Sequence, residues 1–374
     1  MTEQRAASAT DVDSVLMRRA LALAERGWGQ TAPNPLVGAV VVAGEEVAGE
    51  GYHARYGEAH AEVVALHGAG ERARGATMYV TLEPCAHYGK TPPCVDAVIH
   101  AGIARVEIAA RDPSDVARGG VERLRDAGVR VDLGVERDAA LELNAPFFNA
   151  HASLRPWITL KLALSADGAI ADPSGVHRWI TGPASRAEVH RLRAQHDAIA
   201  VGVGTVLADD PMLTVRDAPA PRVPPARIVF DSSLRIPLGS ALVRTAREVP
   251  TFVVARAGSA PAAKAQALAA AGVEVLLAAS SEAALQLLRE RGLRSVFVEG
   301  GARLAGSLLA DALVDRLIIF RSPLVLGRTA PKAFAYAPPG FEASISTLRV
   351  VDDRRFGEDA MTVYALHEVP CSPD

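Results

Sequence analysis

Between residues 60 and 94 the chain contains His60-Ala61-Glu62, then Pro84-Cys85, and finally a second cysteine, Cys94. Histidine nitrogen and cysteine sulfur are ligands that Zn²⁺ prefers, and a catalytic zinc keeps its fourth position for water. We therefore predict that His60, Cys85 and Cys94 bind Zn²⁺. A structural zinc site has no need of Glu62, whereas a catalytic site can use its carboxylate to move protons between the water and a substrate.

The spacing of the cysteines leaves two other interpretations open. The pattern is similar to the signature of zinc-dependent nucleobase deaminases, but that signature has two residues between its cysteines, and here there are eight, at 86–93. The cysteines alone would also fit a structural zinc site, or two buried residues that bind no metal. A structural site has four ligands, and the extra candidates nearby are His53, His67, His87 and His100.

Helical and extended segments alternate around this motif. The sequence predicts helices at 11–26, 60–67, 95–101, 121–127 and 137–144, and strands at 36–42, 46–51, 77–82, 106–109 and 129–133. Cys85 and Cys94 then lie near helix starts, where backbone N–H groups favour thiolate. The alternation predicts an α/β sandwich with helices on both sides of one sheet.

A second α/β region follows Pro156. Its predicted strands lie at 157–164, 198–203, 227–230, 251–255, 273–277, 295–298, 313–320, 347–352 and 360–366, and its helices at 184–195, 262–271, 282–291 and 302–310. This order favours a mostly parallel sheet with an antiparallel edge. We expect a disordered lead-in at 1–10, a first domain at 11–147, a linker at 148–156, a second domain at 157–369 and a tail at 370–374.

Glycine-rich turns end two strands of the second region. Gly300-Gly301 opens a helix, and Gly202-Val203-Gly204 leads towards Asp209-Asp210-Pro211. Glycines at such positions let a backbone approach a phosphate at the carboxyl edge of a sheet. An ordinary tight turn and a capped turn are the alternatives.

Composition limits the partners. The chain has 374 residues, enough for two domains of about 100–200 residues each, and a net charge of −3 with no basic footprint for nucleic acid. No apolar run approaches the ~18–20 residues of a membrane span, and Met1 to Ser14 does not have the pattern of a signal peptide. Three cysteines, two of them in the motif, are typical of a cytoplasmic protein without a disulfide framework.

Taken in order, these motifs resemble the bifunctional deaminase–reductase family of riboflavin biosynthesis. The most specific runs are Thr81-Leu82-Glu83-Pro84-Cys85-Ala86-His87-Tyr88-Gly89-Lys90-Thr91-Pro92-Pro93-Cys94 and Ala208-Asp209-Asp210-Pro211. Further matching stretches lie at 33–38, 51–53, 60–62, 161–168, 178–181 and 298–301. The resemblance covers about residues 12 to 368 and includes the eight-residue cysteine spacing.

The resemblance implies two folds and two consecutive reactions. A cytidine-deaminase-like α/β/α sandwich would remove the ring amine of 2,5-diamino-6-ribosylamino-4(3H)-pyrimidinone 5′-phosphate as ammonia. A dihydrofolate-reductase-like α/β domain would then reduce the ribosyl group to ribityl with NADPH. We expect no nucleic acid or membrane partner. We also expect the chain to form a homo-oligomer.

The same resemblance implies roles for individual residues. Glu62 would be the proton donor. The deaminase substrate would contact Asn34, His53, His87 and Lys90. The reductase substrate would contact His177, Arg193, Leu213, Arg216 and Glu299. NADPH would contact Ala163, Trp179, Thr205, Asp209, Ser232 and the turn from Gly301.

Physical arguments support some of these roles. Arg193 and Arg216 can form bidentate charge-assisted bonds to a phosphate. Without the resemblance, a solvated surface side chain would be the favoured interpretation of each arginine. Lys90 could bind the phosphate in the first domain as a point charge. Lys161 and Asp167 could orient or protonate the opened sugar, or could form a structural ion pair.

The sequence departs from the family pattern at three places. His177 replaces a serine that contacts substrate, Asp112-Pro113-Ser114-Asp115 replaces Asp-Pro-Asn-Pro, and Ala86 replaces a common serine. His177 leaves open a related enzyme that acts on another pyrimidine. A second alternative is a deaminase whose other half only binds nucleotide as a scaffold. The net negative charge disfavours an enzyme that deaminates bases in RNA or single-stranded DNA.

Overall fold

Two sheets organise the chain, one in each of two units. The computed structural model describes residues 11–89 and 92–371. The first unit comprises residues 1–152 and 369–374, and the second comprises residues 153–368. The predicted lead-in at 1–10, Lys90 and the last three residues of the predicted tail lie outside the described residues.

The first unit, in its described part, contains a five-stranded sheet in the order β2-β1-β3-β4-β5. Its strands are β1 (Gly38–Ala43), β2 (Glu46–Tyr52), β3 (Thr77–Leu82), β4 (Arg105–Ala110) and β5 (Arg130–Leu133). β1 runs antiparallel to β2 and β3, and β3, β4 and β5 are parallel. Its helices are α1 (Asp11–Ala24), α2 (Ala61–Ala69), α3 (Cys94–His100), α4 (Gly120–Asp126), α5 (Arg137–Leu143) and α6 (Ala145–Ala152).

Helices pack closely on both faces of this sheet. A Cβ on Gly51 would come 2.3 Å from the carbonyl oxygen of Ala61 in α2, and one on Gly38 would come 1.9 Å from that of Ala20 in α1. Only glycine permits such close approach of strand and helix. The residues between β-sheet and helices form a buried core that includes Val41, Met78 and Ile108. The predicted α/β/α sandwich is confirmed.

The predicted linker at 148–156 is wrong for residues 148–152, which belong to α6. The alternation of helix and strand stops there, but the chain does not leave the unit. Phe148 is 1% exposed and Asn149 is 3% exposed, so burial of this turn stabilises a helix that the sequence pattern did not reveal. Val369 also groups with the first unit rather than with the second.

The second unit contains, among the residues described, a nine-stranded sheet in the order β10-β9-β8-β7-β11-β6-β12-β14-β13. The strands are β6 (Trp157–Leu164), β7 (Ala198–Gly202), β8 (Ala226–Phe230), β9 (Thr251–Arg256), β10 (Glu274–Ala278), β11 (Ser295–Glu299), β12 (Arg316–Arg321), β13 (Arg349–Phe356) and β14 (Asp359–Ala365). The strands from β10 through β12 in this sheet order are parallel to their neighbours, and β14 and β13 add an antiparallel edge. The predicted mostly parallel sheet with an antiparallel edge is confirmed.

Helices cover this sheet too, and they are α7 (Pro183–Arg193), α8 (Val203–Asp209), α9 (Ala241–Arg244), α10 (Ala262–Ala270), α11 (Ser281–Glu290), α12 (Ala302–Ala310) and α13 (Phe341–Ser344). Successive residues of β7 face opposite sides. Ala198 and Ala200 join one buried cluster, and Ile199 and Val201 join another. The strand predicted to reach residue 203 ends at Gly202, because α8 begins there.

No helix within 11–89 and 92–371 is long and apolar enough to cross a membrane.

A buried ion pair joins the first and last parts of the second unit. Asp315, 1% exposed, accepts hydrogen bonds from Arg155 Nη1 and Nη2, each at 2.7 Å, and from His367 Nδ1 at 3.1 Å. Burial alone would raise the pKa of Asp315, but the hydrogen bonds from Arg155 and His367 hold it below its ordinary value. The charged carboxylate is therefore the form that stabilises the fold.

Asp315→Asn should lower the free energy of unfolding of this unit by about 2–4 kcal/mol, because it leaves the Arg155 guanidinium without its charged partner. A depressed pKa gives stability that is present above the unfolded-state pKa of about 4 and is lost as pH falls through the folded-state value. The difference in Tm between wild type and variant should thus have its full size at pH 7 and should become smaller below a pH of about 4. Asp311→Asn, at an exposed position, is the matched control; equal destabilisation by both changes would contradict the assignment.

Candidate active sites

Three side chains of the predicted zinc motif meet at the ends of three elements. His60 precedes α2 as its N-cap residue, Cys85 follows β3, and Cys94 is the first residue of α3. His60 Nδ1 lies 3.2 Å from Cys94 Sγ and 3.7 Å from Cys85 Sγ, and all three ligand atoms lie within 4.8 Å of one another. A tetrahedral Zn²⁺ with ordinary bond lengths separates its ligand atoms by about 3.5 Å, so the donor set fits zinc.

The thiols and imidazole are mutually linked. Cys85 and Cys94 hydrogen-bond to each other, which lowers the pKa of Cys85 to about 4 and raises the pKa of Cys94. The Cys94 amide also donates to Cys85 Sγ at 3.4 Å. A thiolate is therefore already favoured at Cys85, as a zinc ligand requires.

Glu62 lies in the first turn of α2, beside these ligands. It is 3% exposed, and its Oε2 has no hydrogen-bond partner among the described residues. Burial raises the pKa of Glu62 to about 7, although His60 opposes the shift. A buried carboxyl oxygen without a partner, next to a metal-ligand cluster, is typical of a group that acts on a substrate or on bound water.

Within the described part of the chain, the metal-ligand cluster comprises His60, Cys85 and Cys94 alone. His67 and His100 are exposed in the last turns of α2 and α3. The four-ligand structural site, which the cysteine spacing left open, is thus not formed by these histidines. Three ligands and a neighbouring glutamate favour the catalytic arrangement.

Glu83 is a structural contributor that the motif analysis did not single out. It is 3% exposed and accepts hydrogen bonds from the backbone amides of Asp112, Gly119 and Val121, at 3.3, 3.1 and 3.0 Å. These bonds tie the start of α4 to the loop that carries Cys85. Its position directly before Pro84-Cys85 is the signal that could have revealed it.

Some of the residues predicted to contact the deaminase substrate lie beside the metal site. Asn34 Nδ2 is 3.2 Å from His53 Nε2, and the His53 ring centroid is 5.3 Å from that of His60. His53 Nδ1 lies 3.2 Å from the Ala59 carbonyl oxygen, and burial lowers the pKa of His53. His87 is half-buried, and its Nδ1 has no partner among the described residues.

A cavity of about 1510 Å³ lies at the carboxyl edge of the second sheet. It brings together every residue predicted for the reductase site except His177: Ala163, Trp179, Arg193, Thr205, Asp209, Leu213, Arg216, Ser232, Glu299 and Gly301. His177 is exposed, and its backbone amide donates to Asp172 Oδ2 at 2.9 Å. His177 thus does not line the cavity, and its contact with substrate stays a prediction.

Three charged side chains form one wall of this cavity. The Arg193 guanidinium donates to both carboxyl oxygens of Glu299, one at 3.0 Å, and Lys161 Nζ lies 3.8 Å from Glu299 Oε2. Burial lowers the pKa of Lys161, and Arg193 and Lys161 outweigh burial to lower the pKa of Glu299. Arg193 is thus engaged by Glu299, while Arg216 is exposed in the same cavity with its backbone amide bound to His190 Nδ1 at 3.0 Å.

His190 is a further residue that the sequence did not indicate. Its Nδ1 accepts from the Arg216 amide and lies 3.4 Å from Arg193 Nη1. Burial lowers the pKa of His190, which keeps the ring neutral and able to accept. It links the two arginines predicted to bind substrate.

The other candidate for sugar chemistry, Asp167, has a structural role. Its carboxylate accepts hydrogen bonds from Lys332 Nζ at 2.9 Å and from the amides of Leu326 and Gly327, each at 3.0 Å. These bonds hold the 324–332 loop and lower the pKa of Asp167, with the Leu326 amide the largest cause. Of the two residues considered, Lys161 lines the cavity and Asp167 does not.

Helix starts give the cavity the features of a dinucleotide site. α8 begins after Gly202 and α12 begins after Gly301, and both turns line the cavity. A Cβ on Gly301 would lie 3.9 Å from Thr205 Oγ1, so a side chain there would enter the space between the two turns. Backbone amides at helix starts suit phosphates, and the residues fit NADPH.

The fold and the two sites define a zinc-dependent deaminase joined to a nucleotide-dependent reductase. Comparison with known families agrees. Residues 10–110 match the family described as the cytidine and deoxycytidylate deaminase zinc-binding region, and residues 156–362 match the RibD C-terminal domain.

Relatives extend the match to most of the chain. It is 45% identical to the riboflavin biosynthesis protein RibD of Aquifex aeolicus over 85% of this chain and 88% of that protein, and 44% identical to that of Escherichia coli over 85% and 89%. The solved structure of Acinetobacter baumannii RibD matches with a TM-score of 0.77 and 37% identity, covering 94% of this chain and 98% of that one. A Thermotoga maritima structure, titled a diaminohydroxyphosphoribosylaminopyrimidine deaminase/5-amino-6-(5-phosphoribosylamino)uracil reductase, matches with a TM-score of 0.77, 34% identity and the same coverage.

This chain belongs to the RibD family of riboflavin biosynthesis, the bifunctional deaminase–reductases. It joins a zinc-binding deaminase unit to a reductase unit of the kind that uses NADPH. The resemblance found in the sequence is confirmed.

Cys94→Ser should remove the metal, because serine replaces a thiolate ligand with a poor zinc donor. The zinc content by mass spectrometry should fall from about one per chain towards zero. Cys371→Ser changes an exposed cysteine outside the cluster and should retain the metal. Full zinc content in Cys94→Ser would contradict the ligand set.

Proposed function

We propose that the first unit deaminates 2,5-diamino-6-ribosylamino-4(3H)-pyrimidinone 5′-phosphate and that the second reduces the product's ribosyl group to ribityl with NADPH. The observation that carries the proposal is the presence, in one chain, of a three-ligand cluster beside Glu62 and a cofactor-sized cavity lined by the predicted reductase residues.

In the deamination, His60, Cys85 and Cys94 would hold the metal. When bound, Zn²⁺ lowers the pKa of a coordinated water from about 16 towards 7. Glu62 would take one proton from the attacking water and deliver it to the ring nitrogen, and would then take the second proton from the hydroxyl on the attacked carbon and deliver it to the amine, which leaves as ammonia. Burial raises the pKa of Glu62 above that of an ordinary carboxyl group, which helps the side chain both to accept and to return a proton. Asn34, His53, His87 and Lys90 contact the substrate in this proposal.

In the reduction, the cofactor supplies the hydride. Ala163, Trp179, Thr205, Asp209, Ser232 and Gly301 hold NADPH, and Glu299, Leu213 and Arg216 hold the substrate. Arg216 binds the phosphate, since its guanidinium makes no hydrogen bond or ion pair with the described residues. Arg193 orients Glu299 and can reach a phosphate only by leaving this partner. Lys161 orients or protonates the opened sugar from the cavity wall.

The proposal also covers the cellular location, the partners and the oligomeric state of the enzyme. The described cysteines form no disulfide, which supports a cytoplasmic location. We expect a small-molecule substrate, no nucleic acid or membrane partner, and a homo-oligomer whose size light scattering would measure.

Incubation of the purified protein with the diaminopyrimidine phosphate and NADPH tests both steps together. Mass spectrometry should show stoichiometric ammonia release followed by the ribityl product. Ammonia release only from another pyrimidine would favour the alternative substrate. Deamination without any NADPH oxidation would favour the scaffold alternative for the second unit.

Glu62→Gln should reduce ammonia release by a factor of about 100 or more, because the amide keeps the shape but cannot accept the proton. Zinc content should be unchanged, since Glu62 is not a predicted ligand. Glu62→Ala should behave in the same way. Full deaminase activity in either variant would reject the role of Glu62.

Asp209→Ala should raise the KM for NADPH by about 10-fold or more, because a carboxylate hydrogen bond to the bound cofactor is lost. Steady-state kinetics of NADPH oxidation on the deaminated substrate measure the effect. Ammonia release by the same preparation is the internal control. If deamination falls as well, the variant is misfolded and Asp209 has no specific role.

A further inference from the structure

The segment between α8 and β8 carries two of the proposed substrate contacts, Leu213 and Arg216, and has an unusual backbone conformation. Its φ angle is positive at Asp210 (38°), at Leu213 (48°) and at Asp217 (53°). Residues other than glycine avoid this left-handed region, and they adopt it where the surrounding structure holds the chain in place. The conformation of the 210–217 segment therefore depends on the groups that hold it.

Helix α7 supplies hydrogen bonds that hold this segment. Within the described ranges, residues 211–216 make no backbone–backbone hydrogen bond. The Thr214 carbonyl oxygen instead accepts from Arg193 Nη1 at 2.9 Å. The Arg216 amide donates to His190 Nδ1 at 3.0 Å. Two side chains of one helix thus take the place of the secondary structure that the segment does not have.

His190 is suited to accept a hydrogen bond from an amide. The side chain is buried and lies three residues before Arg193, on the same face of α7. Burial lowers the pKa of His190, and the nearby Arg193 and Arg216 cations lower it further. The ring is therefore neutral near pH 7, and a neutral ring with its proton on Nε2 accepts at Nδ1.

Helix α7 is fixed at its other end, which makes it a firm support for His190. Asp359, a buried residue at the start of β14, accepts at Oδ2 from the Gly182 amide at 2.7 Å and from Ser185 Oγ at 2.6 Å. A carboxylate is favoured at this end of a helix, where backbone amides have no partner within the helix. The antiparallel edge of the sheet thus fixes the helix that in turn holds the 210–217 segment.

We infer that His190 is a positioning residue of the reductase, which holds the Arg216 backbone so that the Arg216 guanidinium meets the substrate phosphate. The inference rests on the proposed reductase function, in which Arg216 binds that phosphate. In the described structure Arg216 lines the cavity and His190 does not. Loss of the acceptor should thus weaken the binding of substrate and leave the binding of NADPH unaffected.

His190→Leu and His190→Asn form a matched pair of similar shape. Asparagine offers a side-chain oxygen near the position of Nδ1, whereas leucine offers no acceptor. In His190→Leu the KM for the deaminated substrate should rise about 10-fold, because the Arg216 amide loses its acceptor. The kcat and the KM for NADPH should stay within about 2-fold of wild type, as expected when only substrate binding is lost. His190→Asn should keep all three parameters within about 3-fold of wild type. A substrate KM in His190→Leu equal to that of wild type would overturn the inference.

His196→Leu is the control for the loss of a buried histidine. His190 and His196 are each 8% exposed. The His196 ring lies 2.8 Å from the Leu192 carbonyl oxygen and 3.1 Å from Thr159 Oγ1, and it does not line the cavity in the described structure. The change should lower Tm and leave the substrate KM within about 2-fold of wild type. A rise in KM as large as that in His190→Leu would attribute the effect to general destabilisation.

A double-mutant cycle shows whether His190 acts through Arg216. Arg216→Gln alone should raise the substrate KM, since it removes the proposed phosphate contact. Adding His190→Leu to Arg216→Gln should change this KM by less than about 2-fold, because the side chain that His190 positions no longer binds the phosphate. Additive effects of the two changes would mean that His190 acts by another route, and the inference would then be wrong.

Hydrogen–deuterium exchange gives a readout that is independent of turnover. The Arg216 amide should exchange slowly in wild type and in His190→Asn, and about 10-fold faster or more in His190→Leu. Fast exchange of this amide in wild type would reject the inference without any variant, so the test remains decisive if His190→Leu does not fold. Failure of wild type to oxidise NADPH with the deaminated substrate would instead reject the proposed function.

Discussion

The carboxyl ends of parallel strands lie at a common edge of a sheet, and both units place their functional residues there. In the first unit, β3 ends directly before the loop that carries Cys85. In the second, the turns after β7, β8, β9 and β11 line one cavity. Parallel strands require crossover connections, so each strand end opens into a loop or helix start with free backbone amides. This constraint brings together residues that are far apart in the chain.

Two buried glutamates of the zinc motif show how packing separates structure from chemistry. Glu83 accepts three backbone hydrogen bonds and fastens the start of α4 to the loop of Cys85. Glu62 is equally buried but keeps an oxygen without a partner in the described structure, and its pKa rises to about 7. A satisfied buried carboxylate stabilises the fold, whereas an unsatisfied one is available to a substrate.

Much of the fold and of the candidate site could be predicted, because local signals carry it. The strand at 77–82 and the helix at 302–310 were predicted with the bounds that the structure shows. The helix α6 and the helix α8 were not predicted, since α6 has no clear apolar period and α8 lies within a glycine-rich turn. Both depend on burial against residues distant in sequence.

The sequence by itself determined the chemistry: the ligand types, the glutamate, the glycine turns and the order of two α/β units. It did so because zinc coordination and phosphate binding demand particular side chains at short spacings. Only the tertiary structure decided which charges are paired. Arg193 is engaged by Glu299, Asp167 holds a loop, and Arg216 lines the cavity, since such arrangements join residues that no local pattern connects.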